Sequence, residues 1–188
     1  MATLVIVLRA ASLAAFAAHM LLSPKREKKD LARERGGNRA PVFANIAAFG
    51  LFFPSLIAFA GGLEGQIVLL LALAGCLLAV TGVALVLRSR VELGPAWSFV
   101  PTADEDMGFV TTGPYRLVRH PIYLGLSMLA MGQALAFDSW PALLVLLSGI
   151  VPTFAWRAYA EEKLLSRTLG ERYALYRRRT KMIIPYLL

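Results

Sequence analysis

Apolar residues in this chain come in blocks, not in alternation. Five runs stand out, at 2–22, 42–60, 66–87, 122–136 and 140–156. A helix of roughly 20 apolar residues crosses a bilayer core, so runs of this kind read as transmembrane helices. The fourth run is short for a full span. With the fifth it forms a helical hairpin around Phe137-Asp138-Ser139-Trp140-Pro141. The pattern predicts an all-α integral membrane protein: about five transmembrane helices, the last two a hairpin, with a polar loop and a C-terminal interfacial helix.

Arg9 and His19 interrupt the first run. Arg9 lies near one end, where a long side chain can snorkel to the interface. His19 reads as a structural, interfacial histidine. A cleaved signal peptide would carry its cations at the very start. Residues 1–8 have none, so the run is expected to stay as a span. Pro54 predicts a kink in the second span. Gly61-Gly62-Leu63-Glu64-Gly65 predicts a tight turn. In the third, Gly75, Ala79 and Gly82 lie close to one helical face, which lets a neighbouring helix approach closely.

Composition agrees with a membrane chain. Hydrophobic residues make up 57% of 188, and mean hydropathy is +0.60. A soluble domain would sit nearer 45–50% apolar. One membrane domain is expected over 1–188, with a three-helix scaffold at 1–87 and the chemistry at 88–188. Cys76 is the single cysteine, so neither an internal disulfide nor a cysteine-based zinc site is possible. His19 and His120 are the only histidines, and their spacing suggests no metal centre.

The net charge of +8 would fit a nucleic-acid partner, but the placement of the 20 cations argues against one. Seven lie in 24–39 and four in 88–121: Arg88, Arg90, Arg116 and Arg119. Seven more lie in the tail, from Lys163 to Lys181, and Arg9 and Arg157 lie within or at the ends of spans. The turns at 61–65 and 137–141 have none. Five spans put all three basic segments on one side. By the positive-inside bias the N-terminus is outside, and the C-terminus and polar loop are cytoplasmic. The lipid bilayer is the partner this implies. Nothing points to nucleic acid or to an obligatory protein partner.

Candidate chemistry lies where the polar loop meets the tail. Loops as long as 88–121 are usually functional or disordered, and Trp97, Phe99, Phe109 and Tyr115 argue against disorder. Pro121 suits the first turn of a helix. That puts His120 at the helix start, where the dipole favours anions. Tyr123 lies at the same end, and Gly125 leaves room for a neighbour. Across the hairpin stand Arg157, Glu161 and Glu162. Arg157 and Glu161, at i and i+4, can pair on one face. One reading is a set of ion pairs that pins the hairpin. The sharper reading is a pocket for a zwitterionic ligand, with glutamate for an ammonium, the helix start or histidine for a carboxylate, and aromatic rings for a ring. Gly170 breaks the helix in the tail, where Leu164, Leu165, Tyr173 and Tyr176 line an apolar face opposite Arg177-Arg178-Arg179, as in a helix lying on a membrane surface.

The run Thr111-Thr112-Gly113-Pro114-Tyr115-Arg116-Leu117-Val118-Arg119-His120-Pro121-Ile122-Tyr123-Leu124-Gly125 resembles the signature of the isoprenylcysteine carboxyl methyltransferase family and its prokaryotic relatives. So do Glu161-Glu162-Lys163-Leu164-Leu165, the later Leu169-Gly170-Glu171-Arg172-Tyr173-Ala174-Leu175-Tyr176, and Leu93-Gly94 with Trp97-Ser98. The likeness covers roughly 85–188. It implies an integral-membrane transferase that uses S-adenosylmethionine, releases S-adenosylhomocysteine and lacks a Rossmann domain. No G-x-G-x-x-G is present. The resemblance implies that Val100, Met107, Gly108, Phe109, Val110, Tyr115, His120, Pro121, Ile122 and Tyr123 touch the cofactor, with Glu162 at its amino end. It implies that Arg157 holds a substrate carboxylate, helped by Arg88 or Arg90. Arg157 and Glu162 are thus the expected catalytic pair, and the expected acceptor is a lipophilic molecule such as an isoprenylcysteine.

Related families share the histidine-proline-tyrosine signature but methylate a phospholipid amine or a small thiol. An amine must lose a proton, for which Glu161 is a candidate base. Membrane sterol reductases, which bind a nicotinamide cofactor, and a non-enzymatic five-helix protein are the readings from other classes.

Overall fold

The computed structural model describes residues 1–21, 40–94 and 110–184. Its helices are α1 (Ala2–Leu21), α2 (Ala40–Ala58), α3 (Gln66–Leu93), α4 (Pro121–Ala136) and α5 (Trp140–Arg179). Three of them, α2, α3 and α5, are long and apolar enough to cross a membrane. Two more, over Ala2–Ala18 and Pro121–Ala136, are apolar but shorter. Among the described residues the five apolar runs lie in five helices; the predicted turn at 61–65 is present, while that at 137–141 is shorter than expected, because Trp140 and Pro141 already form the first turn of α5. Pro54 lies inside α2 without ending it.

The boundaries differ in one place that matters. The third helix does not stop at residue 87 but runs on to Leu93, carrying Arg88, Arg90 and Glu92 on helical backbone. Gly94 ends it with φ of 51°.

Two glycine pairs weld α3 to α4. Gly75 faces Gly132, and Gly82 faces Gly125. A Cβ on Gly82 would lie 2.5 Å from the Gly125 carbonyl oxygen, and one on Gly125 would lie 2.7 Å from that of Gly82. On each helix the two glycines are seven residues apart, about two helical turns, so both contacts fall on one seam of an antiparallel crossing. Lipid offers no hydrophobic drive for helices to associate, and close backbone contact supplies the dispersion energy instead.

A second core joins α2, α4 and α5 through Phe52, Leu56, Tyr123, Ala130, Leu146, Ile150 and Phe154. Within it, Asn45 of α2 donates to the Thr153 hydroxyl at 2.9 Å. α5 contains a π-helical turn at Leu146–Ile150, and Gly170 interrupts it with φ of 52° and ψ of −126°, as the sequence predicts.

The two cation-free turns meet at one end of the molecule. The Gly61 amide donates to the Phe137 carbonyl at 2.9 Å, and the Leu63 amide to the Asp138 carboxylate at 2.7 Å. Arg9 is also at this end. Its Nε donates to the Ala136 carbonyl at 2.9 Å, and its guanidinium lies 5.7 Å from the centre of the Phe137 ring. Arg9 thus caps the last carbonyls of the short helix α4, where a cation complements the dipole. The opposite end gathers the start of α4, the end of α3 and the polar half of α5.

Candidate active site at the start of helix α4

The site is built by three local devices. Gly113–Arg116 forms a 3₁₀ turn that places Tyr115 in the interior. Thr112 donates its hydroxyl to Glu92, and Glu92 pairs with Arg88 at 3.5 Å, so the end of α3 holds this turn. After the turn the chain extends beside the segment that follows α5. Val118 and Lys181 form a parallel bridge, the Arg119 amide donates to the Lys181 carbonyl at 2.8 Å, and the His120 amide to that of Met182 at 2.9 Å. Pro121 then starts α4, as its fixed φ and missing N–H allow.

His120 stands between two adjacent carboxylates of α5. Its Nδ1 is 3.3 Å from Glu161, and its Nε2 is 3.6 Å from Glu162. Tyr123 donates its hydroxyl to Glu161. Glu162 receives Arg119 at 2.6 Å on Oε1 and Arg177 at 3.4 Å on Oε2. Arg119 also donates to the backbone carbonyls of Arg177, at 3.3 Å, and of Thr180. Tyr176 donates to the Tyr115 carbonyl at 2.7 Å.

The apolar side of the site is a stack of rings. His120 lies 5.5 Å from Tyr123 and nearly parallel to it, and Tyr123 lies 5.0 Å from Phe154. The Arg157 guanidinium sits 5.3 Å from the centre of the Tyr123 ring. His120, Tyr123, Arg157 and Glu162 are all under 9% exposed, so their charges act in a medium of reduced dielectric.

Burial by itself would lower the His120 pKa, but the neighbouring carboxylates of Glu161 and Glu162 outweigh it and raise the value. Tyr115 is pushed well up, first by burial and then by the charges of Tyr176 and Glu161, with Arg90 opposing. It stays a neutral phenol.

The structure brings together His120, Tyr123, Arg157, Glu161 and Glu162, and Tyr115 joins them through Tyr176. Pro121 is buried at the helix start, while Ile122 packs into the core of α2, α4 and α5. Val110 is half-buried. The expected contacts Val100, Met107, Gly108 and Phe109, with Trp97 and the 24–39 loop, lie outside the described residues, as does the side chain of His19. Of the two candidate arginines on α3, Arg90 is buried near Tyr115, whereas the Arg88 side chain is 66% exposed.

Three participants had no role in the sequence reading: Arg119, Arg177 and Phe154. Arg119 was visible inside the signature run. Arg177 lies in a run of basic residues that reads as a solvated face, and Phe154 is one apolar residue among many in its span.

A family model described as phospholipid methyltransferase matches residues 70–172, more than half of the chain. The chain belongs to this family. The matched stretch begins in α3 and ends just past Gly170, so it contains the glycine seam and both glutamates. The chain is also similar to the protein-S-isoprenylcysteine O-methyltransferase of Schizosaccharomyces pombe, 28% identical over 101 residues, which is 53% of this chain and 43% of the yeast protein. The fold is also similar to a solved structure of a eukaryotic intramembrane Ras methyltransferase, an isoprenylcysteine carboxyl methyltransferase. That match has a TM-score of 0.57 and 21% identity, and it covers 94% of this chain and 62% of the other. The chain therefore spans less than two thirds of either relative's length.

Proposed function

We propose that this chain is an integral-membrane methyltransferase that uses S-adenosylmethionine and methylates a lipophilic acceptor, with the carboxylate of an isoprenylcysteine-like molecule as the leading candidate. The observation that carries the reading is the contact of Glu161 and Glu162 with His120 and Tyr123, with Arg157 over the Tyr123 ring.

These residues fit the cofactor. It carries an ammonium, a sulfonium and an aromatic base. Paired carboxylates suit the first, and ring faces attract cations. When bound it supplies an activated methyl group. Glu162 receives its amino end, and Tyr115, His120 and Tyr123 line its place.

Arg157 orients the acceptor. A carboxylate is already ionised at neutral pH, so no general base is needed. The planar guanidinium fork suits holding it in one orientation. Stacking on Tyr123 keeps that fork in place, and Arg90 adds positive charge from α3. Positioning of this kind can supply about 7–11 kcal/mol of a barrier in favourable cases.

The family match favours a second reading, a phospholipid amine as acceptor. Glu161 would then take the amine proton, helped by its contacts with Tyr123 and His120.

The same reading places the site on the cytoplasmic side, with the N-terminus outside. The cation-free turns meet at the far end with Arg9, while Arg88, Arg90, Arg119, Arg157 and Arg177 lie at the site end, in agreement with the positive-inside bias.

Binding of radiolabelled S-adenosylmethionine to detergent-purified protein tests the cofactor. A methyl-transfer screen over prenylcysteine analogues, phosphatidylethanolamine and small thiols tests the acceptor. A nicotinamide preference, or no binding, would sink the proposal.

A further inference from the structure

Glu162 holds two arginines on unequal terms. Arg119 approaches Oε1 at 2.6 Å, its side chain is 9% exposed, and two backbone carbonyls anchor its far end. Arg177 approaches Oε2 at 3.4 Å, its side chain is 50% exposed, and it comes from beyond the helix break at Gly170. One partner is built into the frame. The other is a solvent-accessible cation on a separate segment, occupying the outer oxygen of the carboxylate.

We infer that Arg177 is a built-in competitor for the cofactor's ammonium at Oε2 of Glu162, and so a selectivity residue of the cofactor site. The inference rests on the cofactor reading above. Arg119 keeps Glu162 ionised and aimed, while Arg177 fills the position a ligand ammonium would take. A nucleoside with an amino group displaces Arg177 and recovers the ion pair. A nucleoside without one gains nothing from Glu162. The site thereby penalises cations weaker than a well-placed ammonium, and Arg177 returns when the ligand leaves.

The test is titration calorimetry on the full chain in detergent with two probes, S-adenosylhomocysteine, which has the ammonium, and 5′-methylthioadenosine, which lacks it. Arg177→Gln removes the competitor. A half-exposed ion pair contributes little, so S-adenosylhomocysteine should bind up to about fivefold more tightly to Arg177→Gln than to the natural chain. Methylthioadenosine should bind both equally. Arg178→Gln removes the same charge from an exposed neighbour and should change neither affinity. Equal tightening of both probes would mean a general charge effect and would overturn the inference. So would an unchanged or weaker S-adenosylhomocysteine affinity. If the natural chain binds neither nucleoside, the cofactor reading itself fails, and this inference with it.

Discussion

Tyr123 donates its hydroxyl to Glu161, and that bond ties the first turn of α4 to the polar half of α5. Both residues belong to helices that also meet through apolar side chains and through Arg157 against the Tyr123 ring. Tyr123→Phe leaves the ring stack in place but strips Glu161 of a partner. The Glu161 side chain is 20% exposed and water can take the place of the phenol, so the lost bond should cost about 0.5–1.5 kcal/mol. Thermal unfolding in detergent should show that loss, together with reduced methyl transfer. An unchanged melting temperature would mean that the bond carries no weight.

The glycine seam makes a sharp contrast. Gly82→Ala puts a methyl against the Gly125 carbonyl, which is backbone and cannot rotate away. Forcing extra volume into a close-packed contact costs about 1–3 kcal/mol. Gly50 on α2 has nothing within 4 Å of its would-be Cβ. Gly50→Ala should therefore be neutral, or stabilising by about 0.5–1 kcal/mol through lost chain freedom. Comparable losses in the two variants would discredit the seam.

Glu162 and Arg157 should separate binding from turnover. Glu162→Ala is expected to abolish cofactor binding. Glu162→Gln keeps the shape but only one acceptor oxygen and no charge, so it should also lose the ligand's ammonium, and it should fold less stably because the buried Arg119 loses its counter-charge. Arg157→Lys keeps the charge but not the planar fork. Cofactor affinity should survive, and turnover should fall by about a hundredfold, the scale of a small misplacement. Equal, wild-type affinity in Glu162→Ala and Arg157→Ala would overturn the assignment.

The histidine gives a pH signature. In the folded chain the His120 pKa is raised, because two carboxylates outweigh the effect of burial. A raised value means that the folded state holds the proton more tightly than the unfolded chain, whose pKa is about 6.5. The stabilisation is complete below that pH and disappears as pH rises through the folded value. The melting temperature of the natural chain, minus that of His120→Gln, should be largest in mild acid and shrink toward alkaline pH. A difference that grows with pH would contradict the two-carboxylate environment.

On α3 the two arginines should part company. Arg88 is exposed and pairs only across one helical turn with Glu92, so Arg88→Ala should cost at most about 1 kcal/mol and leave activity intact. Arg90 is buried near Tyr115, and Arg90→Ala should depress turnover as well as stability. Reversed outcomes would place Arg88 at the substrate.

Much of this architecture was readable in advance because its causes are local. Runs of apolar residues, a glycine that breaks a helix, a proline that starts one and cation-free turns all act over a few residues. The helical extension to Leu93 was not readable, because Arg88, Arg90 and Glu92 look like loop residues until Glu92 is seen holding Thr112. Snorkelling fitted Arg9, but the carbonyls of Ala136 that it caps lie 127 residues away in sequence.

By itself the sequence determined the membrane character, the apolar runs that become helices, the end of the molecule where polar residues gather, and the signature around His120 and Glu162. These follow from the solvent each segment requires and from the residue types the chemistry needs. Only the tertiary structure decided which arginines reach Glu162, which of Arg88 and Arg90 is buried, and that His120 and Phe154 stack with the Tyr123 ring that Arg157 contacts. Those outcomes depend on how closely α3 approaches α4 along its glycines and where the chain beyond Gly170 returns, and neither distance is encoded in any local pattern.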